Sequence, residues 1–157
     1  MDRTIIEQYA SGSDELIRGI AGLTREELNS HPVPNTWSIQ QIVMHLLDAD
    51  LIASDRMKRI IAEDNPLLIG YNETKFAERL HYDKADAMAA AQLFASNRNM
   101  TAALLRHLRE EDFLRTGVHN EAGKMTLVQL VKGYHDHLHH HMKFLREKRR
   151  MLGKAMD

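Results

Sequence analysis

At 157 residues, 43% hydrophobic and 27% charged, the chain has the size and balance of one globular domain able to bury its own core, which excludes a disordered segment. Its formal net charge of -1 offers no electrostatic reason to bind nucleic acid or an anionic membrane surface. The lack of cysteine excludes disulfides, thiolate metal sites and a cysteine nucleophile.

No apolar run approaches the ~18 residues that span a bilayer. Met1-Asp2-Arg3-Thr4 leads into an amphipathic segment rather than a secretory signal, so the expected location is cytoplasmic. Ile5, Ile6, Tyr9, Leu16, Ile17 and Ile20 form a stripe that predicts a first helix from about Arg3 to Leu23, weakened at Gly12, Gly19 and Gly22. Thr24 and Glu27 then make a capping box for a short turn of helix, and His31-Pro32-Val33-Pro34-Asn35 breaks it. Ser38 with Gln41 is a second capping box. It opens a long helix to about Glu63, whose apolar residues, from Ile39 to Ile61, give it the wide face of a bundle helix. Asn65-Pro66 ends it. The stretch Leu67 to Lys84 is the longest connection, with a short helix predicted over 72–78.

The third long helix is predicted from Asp83 or Lys84 to Leu108, followed by a turn at Glu110–Phe113 and a loop over Thr116 to Lys124. Thr126 caps a fourth helix that continues to about Met151. Strand signals are almost absent, and no second domain is visible. The expectation is an all-α, single-domain four-helix bundle over residues 1–157, with its core at about 3–151 and short extra helical turns in the connections.

The fourth helix carries the densest chemistry. His135-Asp136-His137-Leu138-His139-His140-His141 holds five of the ten histidines in seven residues. Residues four apart share a helix face, which offers two pairs, His137 with His141 and His135 with His139. Leu127, Leu130, Val131, Tyr134, Leu138 and Leu145 set the inward face, and phase places His137 and His141 on it, with His135 and His139 about a quarter turn or more away. Two imidazoles on one face make most of a three-histidine metal site. A bundle draws the remaining ligand from a facing helix. His45 is the candidate, being a polar residue beside the apolar stripe of the second helix; the alternative is a buried histidine bonded to backbone. His31 and His119 fall in loops, His81 near a helix start and His107 near a helix end, where structural roles are expected. Around the site, Asp48 is a candidate to orient a ligand or to pair with Arg56. Tyr134 and His140 flank the cluster, Trp37 is expected to pack at the start of the second helix, and Asn72, Glu73 and Lys75 are placed at the pocket mouth by loop position alone.

Two motifs make the chain resemble the DinB/YfiT-like superfamily of metal-binding four-helix bundles. One is Trp37 eight residues before His45-Leu46-Leu47-Asp48-Ala49. The other is Thr126-Leu127, then Tyr134, then His137-x-x-His140-His141, closing with Leu145. The segment from Gly117 to Leu127 is similar to the loop before that family's last helix, and the resemblance covers nearly the whole chain. It implies metal ligands at His45, His137 and His141, in agreement with phase. It also implies a divalent ion, zinc or nickel, with a small-molecule substrate and, in some members, thiol S-transfer from a low-molecular-weight thiol. The activity implied is a metal-dependent transferase or hydrolase, and the alternative is a non-catalytic metal- or ligand-binding bundle of the stress-response kind. A homodimer through exposed helix faces is a further expectation. Phe144 is a departure: relatives often carry Gln or His three residues after the last ligand.

Overall fold

The computed structural model describes residues 3–156; Met1, Asp2 and Asp157 of the expected domain lie outside them. Its helices are α1 (Thr4–Ser11), α2 (Glu15–Ile20), α3 (Arg25–Asn29), α4 (Ile39–Ala62), α5 (Glu73–Arg79), α6 (Ala87–Arg106) and α7 (Leu127–Met151). Both α1 and α2 pack against α6 and α7 and together take the place of one helix, while α4 packs on α6 and α7, which makes the four-helix bundle. The capping boxes form where the sequence places them. Ser38 Oγ accepts from the Gln41 amide and Gln41 Oε1 from the Ser38 amide, and the Thr24/Glu27 and Thr126/Gln129 pairs do the same. Each cap satisfies backbone donors that a helix start leaves orphaned, at about 1 kcal/mol.

Two expectations change. The first helix is broken over Gly12-Ser13-Asp14 by a residue far away in sequence. Arg98 Nη1 takes the Tyr9 carbonyl at 3.2 Å, and the Ser13 amide turns to the Ala10 carbonyl instead. Glycine is required there, because a Cβ on residue 12 would lie 2.4 Å from Leu138 Cδ2 and 3.1 Å from Arg98 Nη1. The predicted loop 116–124 is also corrected. Thr116–His119 (β2) pairs antiparallel with Gly123–Thr126 (β3), and Leu67–Leu68 (β1) pairs parallel with β2. These strands are too short to show a period in sequence, and β1 finds its partner some fifty residues on. The sheet seals one end of the bundle: Leu68 is buried, and a Cβ at Gly117 would meet Leu68 at 3.0 Å and Ile60 at 3.1 Å.

The core has two apolar layers. One contains Ile42, Leu46, Phe94, Leu138 and Met142; the other contains Tyr9, Met57, Leu105, Phe113 and Leu130. Between them on α4, α6 and α7 runs a polar tie. Arg98 donates to Asp50 Oδ1 at 2.9 Å and to the Tyr134 carbonyl at 2.7 Å, while Asn97 and the Tyr9 hydroxyl also donate to Asp50. Both charges are essentially excluded from water. Such a pair is tolerable only because every acceptor is met. No helix of the described residues is long and apolar enough to cross a membrane.

Candidate metal centre

Helix α4 places His45 two turns past its Ser38 cap, and α7 places His137 and His141 on the face opposite. The three imidazoles converge: each offers one ring nitrogen, and these nitrogens lie within 4.8 Å of one another. His45 Nε2 and His137 Nε2 are 3.1 Å apart. Two nitrogens bound to one zinc at ~2.0–2.1 Å in tetrahedral geometry would be about 3.3 Å apart, so the spacing fits a shared cation. Ring contacts of 4.6 Å tie His141 to both His45 and His137.

Burial suppresses protonation of all three. Desolvation is the largest cause, with repulsion from neighbouring histidines second; it takes His137 down to about 3 and His45 and His141 to about 4. The imidazoles are therefore neutral at pH 7, which is the form that ligates. His45 Nδ1 is buried without a hydrogen-bond partner, so nothing anchors that ring from behind by the usual outer bond. Trp37 takes over part of this work by packing: its ring lies 4.9 Å from His45 and stacks on His141 at 6.1 Å, walling off one side of the cluster.

The other histidines separate cleanly. His135 and His139 contact each other at 4.3 Å but face α1 and α2, where His135 Nδ1 meets the Gln8 carbonyl at 3.1 Å and His139 lies 3.8 Å from Glu15. His31 bonds the Thr36 carbonyl, His107 caps α6, and His81 caps a short helical turn with φ 51°. His119 Nδ1 accepts the Glu121 and Ala122 amides in the hairpin turn. His140 packs on Phe144 at 5.0 Å on the rim; Phe144 is half-exposed and lines a shallow groove beside Trp37 and His141, which gives the rim an apolar edge.

Asp48 needs correcting. It neither orients a ligand nor pairs with Arg56; it accepts a short hydrogen bond from Tyr82. The carboxylate that reaches the cluster is Glu73, 3.7 Å from His45 Nε2 and largely exposed. Asn72 serves as the N-cap of α5, which orients that turn, while Lys75 is exposed, with its amide bonded to Asn72. From the cluster a cleft of about 320 Å³ runs between α4 and α7, bordered by Ala49, Gly133, Tyr71, Tyr134, Arg56 and His137. Gly133 matters to its width: nothing lies within 4 Å of where its Cβ would stand. Tyr71 and Arg56 escaped the sequence reading as site residues. Arg56 carries a legible signal, since eleven residues after His45 is just over three whole turns, hence the same face.

Chemically, the arrangement is three neutral nitrogen donors, shielded by an indole on one side and open on the other to a cleft with a carboxylate at its mouth. Such a donor set suits zinc, nickel, iron or copper.

Comparison with known proteins agrees with this geometry. A chain of Oceanobacillus iheyensis named "Putative metal-dependent hydrolase" is 28% identical over 142 residues, 88% of this chain and 82% of that protein. A second, YfiT of Bacillus subtilis, carries the same description and is 26% identical over 140 residues, 88% of this chain and 79% of that one. The solved structure of Bacillus subtilis YfiT, described as "a probable metal-dependent hydrolase with an unusual four-helix bundle topology", superposes with a TM-score of 0.90 at 25% identity, covering 97% of this chain and 87% of that chain. Residues 8–145 match the sequence model of the DinB superfamily, and the chain belongs to that superfamily.

Proposed function

We propose that His45, His137 and His141 hold one divalent cation and that the protein is a metal-dependent hydrolase of a small molecule bound in the adjoining cleft. The observation that carries this is the convergence of three uncharged imidazoles from two helices at the end of an open cleft. A cation so held would supply Lewis-acid chemistry, lowering the pKa of a coordinated water to about 7 or drawing the proton from a thiol.

The chain's own residues do the rest. The three rings fix the position of the reacting group, and Trp37 keeps bulk water from the closed side. Glu73 is the carboxylate that approaches the cluster among the described residues, 3.7 Å from His45, and is placed to accept a proton from an attacking water at the mouth of the cleft. This favours hydrolysis over thiol transfer, because a thiol deprotonated by the metal needs no such base.

Elemental analysis of protein purified without a nickel column tests the site. About one divalent ion per chain is expected, with loss of it in His45→Ala and His137→Ala and retention in His135→Ala. An equal metal content in all four proteins ends the proposal. Cobalt-substituted protein separates the two chemistries: a visible spectrum that responds to a low-molecular-weight thiol, together with loss of no activity in Glu73→Gln, would favour transfer.

A further inference from the structure

Arg56 is the feature of the cleft that neither the cluster nor the fold uses up. Its side chain is more than nine-tenths buried. A guanidinium carries five N–H donors. In Arg56, Nη1 donates to the Tyr134 hydroxyl oxygen at 2.7 Å and Nη2 to the Ile69 carbonyl at 2.6 Å, while Nε, also buried, has no partner. Among the described residues no carboxylate forms an ion pair with it. Its chain neighbour Asp55 is taken by Arg59 at 2.8 Å, Asp48 by Tyr82, and Glu73 stands at the mouth beside His45. Buried charges in proteins are ordinarily paired, because desolvating an isolated one is strongly unfavourable. Here the counter-charge is missing at a position that borders the cleft.

The surroundings are donors. Since the Tyr134 oxygen accepts from Arg56, its own proton is free to be given away, and the ring faces His137 at 6.1 Å. Tyr71 borders the same space, and burial holds both phenols in the protonated, donating form. Between this end and the metal-binding end the walls are Ala49 and Gly133, the smallest side chains available, so the two ends share one continuous space.

We propose that the cleft takes a small organic oxyanion, its carboxylate or phosphoryl group seated on Arg56 and the Tyr134 hydroxyl, with the bond to be cleaved at the histidine end. The orientation rests on the metal-centre reading; the anion seat does not.

The test therefore reads anion binding without the metal. Chelator-treated protein is unfolded thermally in sodium acetate, sodium phosphate or sodium chloride at matched ionic strength. A saturable rise in Tm is expected with acetate or phosphate, about 3 °C at ten times Kd. It should vanish in Arg56→Met, which also subtracts the general stabilisation that phosphate gives any protein. Acetate alone or phosphate alone identifies which oxyanion the seat prefers. Loss of the Ile69 tie is capable of unfolding Arg56→Met. Tyr134→Phe keeps the guanidinium and should weaken anion binding at least fivefold. No saturable response in the unmodified protein, or an equal one in Arg56→Met or in Tyr134→Phe, overturns the proposal. Metal content, measured separately in His45→Ala, decides the metal centre: an anion response with no bound metal leaves this seat standing and removes the hydrolase reading, and the converse removes the seat alone.

Discussion

His45, His137 and His141 are three bases that the fold forbids to ionise, and this has a measurable cost. In the unfolded chain a histidine binds its proton below about pH 6.5. In the folded chain burial delays that to about pH 3 for His137 and about pH 4 for the other two. Between those values the unfolded state holds more protons, so stability rises with pH. The metal-free protein should have its full stability above about pH 6.5 and lose it as pH falls towards 4. Between pH 7.5 and pH 5 the loss is on the order of 2–4 kcal/mol after discounting for partial exposure of two of the rings. Urea unfolding of chelator-treated protein checks it; a flat profile would mean that the rings are better solvated than the fold implies. Asp50 is the other residue on which much depends. Asp50→Ala leaves Arg98, 1% exposed, without its counter-charge, and should cost about 3–5 kcal/mol, read as a fall in the urea midpoint.

Two glycines, one inside α7 and one at the break between α1 and α2, predict opposite signs. Gly133 lies within α7 on the cleft, with open space where a Cβ would stand. Gly133→Ala should stabilise by about 0.5–1 kcal/mol, since glycine weakens a helix interior. Gly12, at the break between α1 and α2, has Leu138 2.4 Å from its would-be Cβ. Gly12→Ala should destabilise by about 1–3 kcal/mol through overpacking. Chemical denaturation of the two variants side by side settles both; a stabilised Gly12→Ala would mean that α7 yields easily. The same elements show what periodicity can and cannot reveal. The caps at Ser38 and Thr126 are local chemistry and were readable to the residue. The α1–α2 break and the three short strands depend on partners such as Arg98 and Val118, far along the chain, and no local window contains them.

Across the bundle, the two apolar layers and the Asp50–Arg98 tie are built without His45, His137 or His141, so the fold is expected to stand when the cluster is empty. Chelation should then leave the helical circular dichroism at 25 °C unchanged while lowering Tm. With free ion a thousandfold above Kd the linkage is about 4 kcal/mol, or about 8–16 °C for a chain of this size. Loss of helix on chelation at 25 °C would instead make the cluster a structural staple.

The long helices α4, α6 and α7, their caps and the inward phase of His137 and His141 follow from the chain alone, because they express periodicities of a few residues that any local stretch carries. The same holds for the composition that excludes thiolate chemistry. That His45 meets His137 and His141, that Glu73 and not Asp48 approaches them, and that Arg56 is buried beside an empty space without a carboxylate are facts of α4, α5 and α7 lying together. Side chains ninety residues apart acquire a distance only when the backbone between them has been packed.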